Sequence, residues 1–249
     1  MWIGVGLLAA VLGGIAYWLL IITEGTYLGP RVVTRLYDWV AGRYDAIKNM
    51  HYVNESIYLG IPLAEALPPI ESSPIVLDVA TGTGRVPLAL LRQWDRGGKV
   101  IGIDRSLPMV AVAQKALADY QEESALLLQD AEALGFADAS LDGVTCLEAL
   151  EFMQHPQQAL REMVRVLKPG GLLLVSNRVG KEARFFLRRM HGRGQLERYL
   201  HTLGLQDVHT DRWQVDYDLV WARKCLDGEQ AANLQRAAAL HGERRKDGE

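Results

Sequence analysis

From residue 75 onward the sequence alternates short apolar runs with longer amphipathic ones, and few folds accept that rhythm. Strands are expected at 75–80, 99–104, 125–129, 141–147, 172–177, 205–210 and 214–224. Helical periodicity fills 86–94, 108–120, 156–167 and most of 182–203. The first strands are apolar on consecutive residues, as in Ile75-Val76-Leu77, so both their faces are buried. Such strands with helices between them form a parallel, doubly wound α/β sheet. The last two leave no room for a crossover helix and must run antiparallel. The expectation is a seven-stranded sheet whose last strand is antiparallel.

The N-terminus follows another rule. From Trp2 to Ile22 no residue is charged and nearly all are apolar or Gly. As a helix this run spans roughly 30 Å, the thickness of a bilayer's hydrocarbon core. Trp2 at one end, and Tyr17 and Trp18 near the other, suit the two membrane interfaces. A cleaved leader would carry a basic start and a small-residue cleavage site, and neither is visible. Residues 1–23 are therefore expected to form one retained transmembrane helix. Arg31, Arg35, Arg43 and Lys48 follow it, which places the remaining chain on the cytoplasmic side as a single-pass membrane protein.

Between the span and the sheet, residues 24–73 read as a helical lid or linker, with Val32, Val33, Leu36, Trp39, Val40 and Ile47 at helical spacing from Arg31 to about Gly60. Residues 74–226 form the main domain, and 227–249 a short helix with a polar tail. The net charge of −3 carries no overall nucleic-acid signature. The two cysteines, Cys146 and Cys225, make neither a metal motif nor a disulfide framework, and each reads as a buried thiol. No metal-ligand cluster stands out. Of the six histidines, His51, His155 and His191 fall near the expected site, where surface or capping roles fit them best.

Chemistry concentrates where the first strand meets the first helix, in Asp78-Val79-Ala80-Thr81-Gly82-Thr83-Gly84. Small residues there let the backbone approach a ligand, and open α/β sheets bind at this carboxyl edge. Asp104 ends the second strand, where a carboxylate accepts hydrogen bonds from a ribose diol. A dinucleotide fingerprint needs a third glycine, and Arg85 follows Gly84 instead. Five segments in order, Val76 to Gly84, Gly102-Ile103-Asp104, Gln129-Asp130-Ala131-Glu132, Leu141-Asp142-Gly143-Val144 and Leu167-Lys168-Pro169-Gly170-Gly171, resemble the landmarks of Rossmann-like class I S-adenosylmethionine-dependent methyltransferases. The resemblance implies S-adenosyl-L-methionine as cofactor. It places Asp78 and Glu148 along the methionine moiety, Asp104 on the ribose, Met109 on the adenine and Asp130 near its amino group. Ala80, Thr81, Gly82, Gly84, Arg105 and Ala131 would supply backbone contacts. No catalytic side chain is assigned, because a general base is needed only where the acceptor must lose a proton.

Tyr37-Asp38 and Tyr44-Asp45 repeat seven residues apart and share one helix face. This resembles the closing helix of ubiquinone/menaquinone C-methyltransferases and related lipid methyltransferases, in which Tyr44 would touch the cofactor. The likeness stops after Asp45, and the apolar span is foreign to soluble members. The implied acceptor is lipophilic, a quinone or lipid. A small soluble phenol, thiol or amine is the second reading, and a silent membrane-tethered scaffold the third. Arg178, Lys181, Arg184, Arg188, Arg189, Arg193 and Arg198 surround Phe185 and Phe186. That stretch is either a membrane-resting face or a solvated helix packed on the sheet.

Overall fold

The computed structural model describes residues 2–48, 52–69, 72–94, 97–186, 193–226 and 228. Apart from residue 228, the expected C-terminal helix and tail (227–249) lie outside the described residues, as do His51, His191, Arg188 and Arg189. Helix α1 (Trp2–Tyr17) continues through a π-helical turn, Trp18–Ile22. Gly4–Ile22 has no buried residues and is long and apolar enough to cross a membrane. Helix α2 (Pro30–Val40) opens on Gly29 at φ 92 and Pro30 in its first turn, a pre-set start. It passes through a 3₁₀ turn, Ala41–Arg43, into α3 (Tyr44–Ile47). Helices α4 (Tyr52–Glu55) and α5 (Ile61–Ala66) flank a second π turn, Ser56–Gly60. The single helical stretch expected from Arg31 to Gly60 is thus broken.

The sheet begins with β1 (Ile75–Val79), α6 (Arg85–Leu91), β2 (Lys99–Asp104), α7 (Leu107–Ala116), β3 (Ser124–Leu128) and β4 (Leu141–Cys146). Then come α8 (Pro156–Val166), β5 (Leu167–Arg178), α9 (Gln195–Thr202), β6 (Leu205–Arg212) and β7 (Tyr217–Lys224). The strand order is β3-β2-β1-β4-β5-β7-β6. β7 runs antiparallel to both neighbours, and the pairs from β3 to β5 are parallel. The doubly wound seven-stranded sheet with its antiparallel last strand is as expected.

Two apolar layers sandwich the sheet. Leu77, Val79, Val144 and Val175 pack on one face with α8 and α9. Val76, Val100, Leu172 and Leu174 pack on the other with Leu59, Leu63 and α6. Adjacent residues of β1 enter opposite layers, as strand geometry requires.

Three expectations need correction. β5 extends back to Leu167, through the Lys168-Pro169-Gly170-Gly171 segment, because Leu141 and Leu167 pair across an irregular register. The 182–203 stretch, expected to be mostly helical, is interrupted among its described residues: it holds a 3₁₀ turn, Lys181–Phe185, and α9, which starts only after Gly194 at φ 87. Cys146 is buried, but Cys225 follows the end of β7 and is exposed.

Candidate functional site

A cleft of about 810 Å³, partly open to solvent, lies at the carboxyl ends of β1, β2 and β3. It is lined on the sheet side by Ala80, Gly82, Asp104, Arg105, Met109, Asp130 and Ala131. Pro30, Val33, Thr34, Tyr37 and Tyr44 wall it from the lid, and Ala149, Phe152 and Met153 from beyond β4. This position follows from the winding: chains leave β1 and β4 toward opposite faces and open a crevice at the strand ends.

The sheet side is held rigidly. Asp104 accepts the Gly82 N–H at 2.9 Å and the Ser106 N–H at 2.8 Å, which ties the glycine loop to the end of β2. Burial pushes its carboxyl upward, and those backbone donors partly offset the push. Ser106 caps α7 by accepting the Met109 N–H at 3.2 Å. Met109 is thereby fixed, almost fully buried, against the cleft. Ala80 sits at φ 56 and Glu148 at φ 51, rare values for non-glycine residues, just past the ends of β1 and β4. Gly82 has φ 55, and a Cβ there would meet no protein atom. The space beside it is left for a ligand to approach the backbone.

Not every expected site residue reaches the cleft. Asp78 is buried one layer beneath it and accepts the Thr145 hydroxyl at 2.6 Å. Burial raises its pKa from the ordinary 3.8 to about 6, against the pull of the Thr145 and Thr81 hydroxyls. Thr81 is also buried. Gly84 begins α6 at φ 84, where a Cβ would crowd Ala113 at 3.2 Å, so its role is helix packing. Glu148 lies outside the lining and bonds Arg85 at 2.9 Å and Lys48 at 3.3 Å. Burial alone would raise its pKa, but these two cations outweigh burial and hold it below the usual carboxylate range. Asp130 does reach the cleft, but stands half-exposed at its edge, 3.8 Å from Arg105. His155 is bonded to Glu132 at 2.8 Å at the same edge.

The lid is pinned at several points. Asp38 accepts the Ser106 hydroxyl at 2.5 Å, and Asp45 the Thr83 hydroxyl at 2.7 Å. Both carboxylates of the Tyr-Asp repeat therefore grip the loops that follow β1 and β2, while both tyrosines line the cleft. Further along, Glu55 approaches Arg85 at 3.7 Å, and Ser56 accepts from Gln93 at 2.6 Å. Phe152, Met153 and Ala149 were not foreseen, since nothing in a short apolar stretch marks which side chains turn toward a ligand.

An aromatic series leads away from the cleft. Tyr44 packs on Tyr37, Tyr37 on Phe152, and Phe152 on Phe186, with ring centroids 5.6–5.9 Å apart. The neighbouring Phe185 meets Trp18 edge-on, and Trp18 packs at a tilt on Tyr27 with centroids 4.9 Å apart. Tyr27 also donates its hydroxyl to the Phe185 carbonyl at 2.8 Å. Beside this series, Glu24 accepts the Tyr37 hydroxyl at 2.7 Å and faces Arg178 at 3.5 Å. Arg178 is buried against Glu151 and Tyr217, and Arg193 bonds Asp218 at 3.0 Å. Those two cations of the 178–198 stretch are therefore structural and not part of a free basic face.

The sheet order, with β7 reversed between β5 and β6, and a cleft at the ends of β1 to β3 are the arrangement of the class I S-adenosylmethionine-dependent methyltransferase fold. Residues 77–175 match the family model described as "Methyltransferase domain". A ubiquinone/menaquinone biosynthesis C-methyltransferase of Hahella chejuensis is 35% identical over 150 residues, 57% of this chain and 58% of that protein. A demethylmenaquinone methyltransferase of Renibacterium salmoninarum is 35% identical over 149 residues, 59% of each chain. The chain thus spans 58–59% of the length of these curated relatives. Among solved structures, the CurJ carbon methyltransferase superposes with a TM-score of 0.58 at 18% identity, covering 69% of this chain and 54% of that one. A phosphoethanolamine N-methyltransferase of Haemonchus contortus gives 0.55 at 16% identity, covering 67% and 52%. At such identities these two speak for the fold.

Proposed function

We propose that this chain is a membrane-anchored methyltransferase that uses S-adenosyl-L-methionine to methylate a lipophilic, quinone-like acceptor. The residues present fit the cofactor: the open space at Gly82, the Asp104 carboxylate and the buried Met109 share one cleft. Asp104 keeps lone pairs beyond the two backbone bonds and would hold the ribose hydroxyls. Met109 and Ala131 would flank the adenine, and Asp130 would accept from its amino group. The Ala80–Gly82 backbone and Tyr44 would enclose the methionine end. When bound, the cofactor supplies a methyl group activated by a sulfonium centre. The protein's part is to position the acceptor behind that methyl and to keep water out. The lid tyrosines and Phe152 do this by closing an apolar wall.

The observation that carries the acceptor class is the aromatic series from Trp18 to Tyr44. It joins the base of the apolar helix to the cleft, so a ring held at the cleft would lie along an apolar path to the bilayer. The demethylmenaquinone methyltransferase relative has a substrate of that kind in its name. The test incubates the full chain in lipid vesicles with methyl-labelled cofactor and a bacterial membrane extract. Label is expected in a lipid-soluble aromatic product. Label confined to soluble phenols, thiols or amines would overturn the lipophilic reading.

A further inference from the structure

Helix α2 carries its arginines on one face. Arg31, Arg35 and Trp39 are spaced i, i+4, i+8 and are all exposed, Trp39 by 84%. Arg43 follows at the same spacing beyond the helix and is exposed too. None of the three arginines has an ion-pair partner among the described residues. The opposite face, with Val33 and Tyr37, lines the cleft. The acids of this segment all turn inward: Glu24 holds Tyr37, Asp38 holds Ser106 and Asp45 holds Thr83. The outer face is therefore cationic, with an exposed Trp within it.

Only residues 23–29 separate this face from the end of the apolar helix. The bend between them leaves Tyr27 and Leu28 exposed, and Leu107 is exposed at the start of the neighbouring α7. Arginines beside an indole suit the bilayer interface, where guanidinium meets phosphate and the ring sits among the headgroups. We infer that the outer face of α2 rests on an anionic phospholipid surface, so the helix that walls the cleft is also the one that touches the membrane. This inference rests on the reading of residues 4–22 as an anchor. Each arginine near an anionic surface favours the seated state by about fivefold.

The experiment places the full chain in phosphatidylcholine vesicles with or without phosphatidylglycerol, each doped with brominated lipid. Trp39 fluorescence is the difference between the wild type and Trp39→Phe, an exposed and conservative change. Quenching of Trp39 is expected in the anionic vesicles. It should fall in the neutral ones, and in the triple variant Arg31→Gln, Arg35→Gln, Arg43→Gln even when phosphatidylglycerol is present. Flotation reads the anchor separately, and wild type and triple variant should both float with the vesicles. Flotation with Trp39 unquenched overturns the inference and leaves the anchor standing. Failure of the wild type to float removes the anchor reading, and this inference with it.

Discussion

Asp104 and Asp78 stand at the ends of neighbouring strands and face different physics. Asp104 is tied to backbone donors of the loop it would share with the cofactor. Asp104→Asn keeps the shape and exchanges a charged acceptor for an amide. A hydrogen bond to a charged group is worth about 1.5–3 kcal/mol, so affinity for S-adenosylhomocysteine should fall roughly 10- to 100-fold by calorimetry, with near-ultraviolet circular dichroism unchanged. Asp78 is buried, and its pKa is raised to about 6 by that burial. Between about pH 4 and 6 the folded state then holds more protons than the unfolded chain. By linkage, stability falls as pH rises through that window, and the full cost applies above it. Asp78→Asn should be more stable than the wild type at pH 7 by on the order of 2–3 kcal/mol, and should lose that advantage near pH 4. Denaturant midpoints at the two pH values decide it, and equal stabilities at pH 7 would refute the buried-charge argument. Both acids were legible because the sequence places them at strand ends. Their depths were not, since burial depends on what packs above.

At the scale of elements, strands and crossover helices were legible because apolar runs of two periods cannot exchange roles without exposing the core. The lid was less so. Its periodicity reads as one helix, but a 3₁₀ turn at Ala41–Arg43 and a π turn at Ser56–Gly60 re-aim successive pieces. At the second, Gly60 lies against the Ala89 carbonyl, where any Cβ would collide. Such contacts are set by α6 and have no local signal. The pins of the lid were equally hidden: the Tyr-Asp repeat marks a face, but Ser106 and Thr83 as partners follow only from the fold. These pins predict the dynamics. Asp38→Ala and Asp45→Ala should each speed hydrogen exchange in α2 about five- to tenfold, as expected for loss of roughly 1 kcal/mol of hydrogen bonding. The pins grip different loops, so the double variant should show nearly the product of the single effects. Unchanged exchange in all three variants would mean that apolar packing alone holds the lid.

At the scale of the whole molecule, the apolar helix, the lid and the β4 end of the sheet meet along one aromatic series. The sequence shows the helix and the cleft as separate features, because Phe152, Phe186 and Trp18 are far apart in the chain. Only the winding of β4 and β5 brings them together. Phe152 is the joint of this series, in contact with Tyr37 on the cleft side and Phe186 on the helix side. Phe152→Leu keeps an apolar side chain and removes both ring contacts, each worth about 0.5–1.5 kcal/mol. If the series guides a ring with a long apolar tail into the cleft, the variant should raise KM for a long-tailed quinol about tenfold. KM for a tail-less analogue and affinity for S-adenosylhomocysteine should barely move, because neither uses the path beyond Phe152. A general fall in kcat with both acceptors, at unchanged KM, would instead mean that Phe152 only shapes the cleft wall. A variant indistinguishable from the wild type with either acceptor would show that the tail reaches the bilayer by another route.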